Sequence, residues 1–133
     1  MRYVLDASIT ITWAMRDEDH PLADLAFQHV QLDSAIVPGI WWYEVRNILL
    51  VKERQGRISP RDSEQFLLDL SHLSIDIDFP QSSTNVIDLS RRFKLSVYDS
   101  AYLALAMHER LPLATLDKAL EAAAIASGVP LLA

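Results

Sequence analysis

Four acidic residues stand where local structure gives an incomplete account of them: Asp6, Glu44, Asp99 and Asp117. Asp6 ends the apolar run from Arg2 to Leu5 with no turn between them, and Asp117 stands in the same relation to "LPLAT". Taken singly, most have an ordinary explanation. An Asp that follows a strand commonly caps the next helix, and Ser96 three residues before Asp99 makes a capping box. Glu44 resists such a reading: on a helical wheel started at Trp41 it falls between Ile48 and Val51, inside the apolar arc. A carboxylate there is penalised by desolvation unless it is paired, protonated or bound to a metal.

Taken together, the four describe one kind of chemistry. Carboxylates brought within a few ångströms raise one another's pKa and cost stability unless a cation sits among them. Hard divalent ions such as Mg²⁺ or Mn²⁺ take oxygen ligands of this type. The chain has no cysteine, and His20, His29, His72 and His108 show no ligand spacing, which argues against zinc. With only Gly39, Gly56 and Gly128, no glycine-rich phosphate loop can be built. A phosphoacceptor receiver domain would want an adjacent acid pair after the first strand and a Lys after a late one, and neither "LDAS" nor "ATLDK" supplies this cleanly.

These acids need elements to carry them. Arg2 to Leu5 and "SAIVP" read as buried parallel strands, and "SIDID", alternating apolar and acidic, reads as a half-exposed edge strand. "LPLAT" and a terminal "VPLLA" complete a mostly parallel sheet of about five short strands. Helices are expected over "ASITITWAM", "PLADLAFQHVQL", Ile40 to about Gln55, "SPRDSEQFLLDLSHL" with Ser59 as cap, "STNVIDLSRRF", "SVYDSAYLALAMHER" and "LDKALEAAAIASG". On the third of these Trp41 and Trp42 point toward the core arc and Tyr43 points away. Strands alternating with helices and helix pairs predict a three-layer α/β/α sandwich, one domain over residues 1–133. In such sheets ligands gather outside the carboxyl ends of the strands, where Asp6 and Asp117 would sit.

Half the residues are hydrophobic, enough for a core without disulfides. Lack of cysteine suits a reducing compartment, no basic leader precedes the first strand, and no apolar run approaches the ~18 residues of a membrane span; a cytoplasmic protein is expected. The net charge of −6 argues at first against nucleic acid. Setting four acids aside in one metal site leaves acids and bases nearly balanced, so net charge does not decide. Arg16, Arg46, Lys52, Arg54, Arg57 and Arg61 form one basic concentration, and Arg91, Arg92 and Lys94 a second, either a solvated helix end or a phosphate contact.

"YVLDAS", "WWYEVRNIL", "VYDSAYLALA" and "ATLDKAL", in this order and at these separations, resemble the acidic motifs of the PIN-domain ribonucleases, and more narrowly those of the VapC toxins of toxin-antitoxin pairs. The likeness runs from Met1 to Val129 and includes the "GRIS" connector. The resemblance implies that Asp6, Glu44, Asp99 and Asp117 bind Mg²⁺ or Mn²⁺, with Ser8, Asn47 and Thr115 as polar support. It implies an endoribonuclease that forms a homodimer and is inhibited by a cognate antitoxin, whose tail would enter the acidic pocket with a basic side chain. Trp13 or Tyr98 would stack RNA bases. The alternatives are a catalytically idle PIN-fold binding module and a PIN nuclease of RNA processing without an antitoxin.

Overall fold

The uninterrupted apolar stretches "YVL" and "AIVP" do form strands, and every residue in them is buried whichever way it points. A strand buried on both faces requires cover on both faces, as in a parallel sheet flanked by helices. The computed structural model, which describes residues 1–79 and 85–133, has β1 at Tyr3–Leu5, β2 at Ala35–Pro38, β3 at Ile75–Asp78 and β4 at Leu113–Ala114. The sheet order is β3-β2-β1-β4 and each pairing is parallel. β3 lies at an edge, where its alternation of Ile75 and Ile77 with Asp76 and Asp78 leaves the acids in reach of water.

Seven helices join and cover these strands among the described residues: α1 (Ala7–Thr12), α2 (Pro21–Leu32), α3 (Ile40–Arg54), α4 (Pro60–Leu70), α5 (Val86–Phe93), α6 (Val97–Glu109) and α7 (Lys118–Ala126). α1 packs on α2 and α3, while α6 lies along β1, β2 and β4 and touches α5 and α7. That contact explains α6's composition: Tyr102, Leu103, Ala104, Leu105 and Ala106 are all buried in a row, too many for a one-sided surface helix. Ser59 and Ser96 cap α4 and α6 as the sequence predicts, accepting from the Asp62 and Asp99 amides at 3.1 and 3.0 Å. Among the described residues no helix is long and apolar enough to cross a membrane.

Three expectations change. The fifth strand contracts to a single bridge between Leu113 and Leu131, because Pro130 has no amide with which to extend a ladder. Trp42 does not join the core: it is 41% exposed, while Trp41 is buried. One further step around the wheel carries Trp42 past the arc occupied by Trp41, Val45 and Leu49, and its ring instead carries the Arg46 guanidinium at 3.6 Å and meets Tyr43 edge-on. The helix expected to open near "STN" begins at Val86; the residues 83–84 lie outside the described residues.

The strand order places β1 in the middle, with β2 and β3 on one side and β4 on the other. Connections therefore diverge at the carboxyl ends of β1 and β4, where ligands gather in sheets of this kind, and α6 packs against both strands. Leu103→Ala, which truncates a side chain with no exposure, is expected to lower unfolding free energy by about 2–5 kcal/mol, read by urea denaturation; a loss below 1 kcal/mol (about the scale of a surface change) would contradict this packing.

Candidate active site

Asp6 follows β1 at its carboxyl end and precedes α1. Its amide still belongs to the sheet, donating to the Ala114 carbonyl at 3.0 Å, while its carboxylate is buried and makes no cap bond to α1. The capping explanation for this acid therefore fails. Asp6 Oδ2 instead accepts from two hydroxyls, Ser8 Oγ at 2.6 Å and Thr115 Oγ1 at 2.7 Å. Each hydroxyl is itself aimed by a backbone amide after β4: Leu116 N–H donates to Ser8 Oγ and Asp117 N–H to Thr115 Oγ1, both at 3.0 Å. Two strand ends are thus clasped around one carboxylate, Asp6 and Thr115 lying 109 residues apart in the chain.

Glu44 arrives from α3, half-buried at the margin of the face formed by Trp41, Val45 and Leu49. The Tyr102 hydroxyl of α6 donates to its Oε1 at 2.6 Å. Asp99 stands in the first turn of α6, half-buried, its amide held by Ser96. Asp117 also has a local role, since its Oδ1 caps α7 by accepting from Leu120 N–H at 3.0 Å. Asn47 is exposed one turn along α3 from Glu44.

The four acids share an electrostatic neighbourhood. Burial pushes the Asp6 carboxyl above its ordinary range and the Asp99 charge adds to this, while Ser8, Thr115 and the Ala7 amide oppose it. Glu44 is raised by burial and then by the charges of Asp6 and Asp99, against the pull of the Tyr102 hydrogen bond. Burial likewise raises Asp99, followed by the charge of Asp117, with Ser96 opposing. Among the described residues no Lys, Arg or His forms an ion pair with any of the four. What compensates them is a set of neutral hydroxyls.

That donor set is all oxygen and net anionic, which fits a hard divalent cation and not a soft one. The carboxylates are not closed up around such an ion: among the described residues no three acidic, His or Cys side chains stand in ready-made ligating positions.

Two residues here were not assigned a role from the sequence. Tyr102 is fully buried, and burial followed by the Asp6 and Glu44 charges raises its phenol so that it stays protonated. Its signal was present, one turn after Asp99 on the same helix face. Thr10 accepts from Trp41 Nε1 at 2.9 Å and donates to the Asp6 carbonyl at 3.2 Å, tying α3 to the backbone of Asp6; only tertiary contact reveals it. Of the basic residues, Arg57 is engaged with Asp17 and Glu18 at 3.1 and 3.3 Å, which removes it from a free cationic surface.

The PIN domain family model matches residues 3–126. No curated protein matches the chain. Among solved structures it is similar to PAE2754 from Pyrobaculum aerophilum, with a TM-score of 0.67 at 23% identity over 92% of this chain and 79% of that one. It is also similar to a toxin-antitoxin complex from Klebsiella pneumoniae, TM-score 0.55 at 19% identity over 84% and 82%. A third is Mycobacterium tuberculosis VapC20, a sarcin-ricin loop cleaving toxin, TM-score 0.58 at 10% identity over 91% and 94%.

The uncompensated acids set a pH dependence. A carboxyl whose folded pKa is raised binds its proton more tightly when folded, so stability falls as pH rises from the ordinary carboxylate range through the raised values. In chelator at neutral pH, Glu44→Gln, which keeps an acceptor for Tyr102, is expected to raise Tm by a few degrees, and the gain should vanish on acidification. A Tm lowered at neutral pH would show that the acids are compensated in some other way.

Proposed function

Since the chain belongs to the PIN-domain family, we propose that it is an Mg²⁺- or Mn²⁺-dependent endoribonuclease, the toxin of a VapC-type pair, working in the cytoplasm. What supports this reading is the influence that the charges of Asp6, Asp99 and Asp117 exert on Asp6, Glu44 and Asp99, acids drawn from four separate segments with no basic ion-pair partner among the described residues.

A divalent cation bound there supplies Lewis-acid chemistry, making a water more acidic and offsetting the charge that builds on the phosphoryl group. The chain's own residues do the rest. Asp6 and Asp99 are the central ligands, Asp6 held rigid by Ser8 and Thr115. Glu44 is a ligand or the orienter of the attacking water. Asp117, with one oxygen occupied in capping α7, is a second-site or outer ligand. Asn47 stands on the exposed rim of α3 beside Glu44 as polar support. No side-chain nucleophile is required.

RNA is the substrate that fits an exposed aromatic beside the acids. Tyr98, next to Asp99, is 58% exposed and free to stack on an unpaired base. Trp13 is less suited, because its Nε1 donates to Ala23 and its ring packs edge-on against Phe27. For a protein partner the support is a groove between α3 and α4, lined by Leu49, Leu50, Leu67 and Leu68 with Arg46 and Glu64 at its margin. An antitoxin laid there and reaching out with a basic side chain would pair with the acids that otherwise take the metal. The homodimer belongs to the same proposal.

The test is cleavage of structured RNAs by the purified protein with Mg²⁺, with Mn²⁺ and with chelator, repeated for Asp6→Asn and Asp99→Asn. Each substitution is expected to lower the rate by roughly 100-fold or more. Cleavage that survives chelation, or both substitutions, overturns the metal mechanism; a wild-type protein that binds no metal and cuts no RNA favours the idle binding module.

A further inference from the structure

Tyr102 occupies an unusual position for a fully buried tyrosine. Its hydroxyl lies between the start of α1 and the side of α3, where it donates to Glu44 Oε1 at 2.6 Å and faces the Ala7 amide. It reaches there from α6, one turn beyond Asp99. The two helices that carry Asp99 and Glu44 thus meet at one phenol oxygen.

We infer that Tyr102 is a positioning residue of the acidic centre: its phenol fixes one oxygen of Glu44 and so presents the other, Oε2, as the donor atom for a divalent cation. This rests on the metal-dependent reading above. A glutamate has more side-chain torsions than an aspartate and loses more freedom when held in one place. Asp6, with a short side chain, is locked by two hydroxyls; Glu44, with a longer one, has a single phenol. Among the described residues Oε2 has no hydrogen-bond or ion-pair partner.

The chemistry of the donor matters as much as its place. A Lys or Arg at this position would neutralise Glu44 and compete with the cation. A phenol orients the carboxylate and leaves its charge intact, which is what a ligand-supporting group around a hard metal does. No other described side chain donates to Glu44, so the role is not duplicated.

The experiment is Mn²⁺ titration of the full chain followed by electron paramagnetic resonance of the free ion, with thermal melts alongside. Tyr102→Phe is expected to weaken Mn²⁺ binding by roughly 10- to 100-fold. Tyr3→Phe is the control, since it also deletes a buried phenol hydrogen bond, at 2.7 Å, but one made to the Ala26 carbonyl of α2 and to none of the acids. It is expected to lower Tm with unchanged Mn²⁺ affinity. In the pair Tyr102→Phe with Glu44→Gln, the affinity should equal that of Glu44→Gln alone, because the phenol acts through that carboxylate. Wild type that binds Mn²⁺ together with a Tyr102→Phe protein that binds it equally well overturns the inference and leaves the metal-dependent reading standing. Losses that add in the double variant, or a Tyr3→Phe protein weakened as much as Tyr102→Phe, also overturn it by showing a general effect on stability. Wild type that binds no Mn²⁺ overturns both.

Discussion

Anionic crowding at the carboxyl edge of the sheet is the constraint around which this molecule is arranged. Burial raises the pKa of Asp6, Glu44 and Asp99, and neighbouring charge adds to it, that of Asp99 on Asp6, of Asp6 and Asp99 on Glu44 and of Asp117 on Asp99, a cost that folding must offset elsewhere. Counter-ions from Lys or Arg would lower it most. The protein instead directs neutral hydroxyls at two of the acids, Ser8 and Thr115 at Asp6 and Tyr102 at Glu44. Such donors recover part of the lost solvation without cancelling charge, so the site stays net anionic.

The topology makes that crowding possible. In an all-parallel sheet every carboxyl end opens on the same edge, and with β1 central and β4 beside it the two strand-end acids emerge as neighbours. The clasp between Ser8, Thr115 and the amides of Leu116 and Asp117 turns that adjacency into fixed geometry. α3 and α6 then bring Glu44 and Asp99 in from helices anchored by buried faces, Trp41, Val45 and Leu49 on one and Tyr102 to Ala106 on the other. A site mounted on rigid elements keeps its atoms in place better than one carried on loops.

Charge elsewhere on the surface is arranged locally. Arg57 joins Asp17 and Glu18, Arg2 joins Asp76, and Arg46 lies flat on Trp42. These contacts draw down the cationic surface implied by counting Lys and Arg. A nucleic-acid backbone brought up to these acids would meet repulsion unless a divalent ion offset their charge.

Local signals in the sequence sufficed for most elements, because hydrophobic period, caps and breakers act over a few residues: Ser59 and Ser96 start helices, Gly56 and Gly128 end them at positive φ, and "SIDID" declares an edge strand. Less legible were the stops of α5 and α6, where Lys94 and Arg110 take the left-handed conformation that glycine usually signals, and the side of α3 on which Trp42 falls, since a wheel does not say where the neighbouring helices end. The four acids could be named from their order along the chain. Which of them is buried, which caps a helix, and which hydroxyl holds which oxygen could not, because Thr115 meets Asp6 and Tyr102 meets Glu44 across 109 and 58 residues. Such pairings come into being only when strands and helices pack, so the sequence offered the four acids as candidates and tertiary contact decided their hydrogen-bond partners.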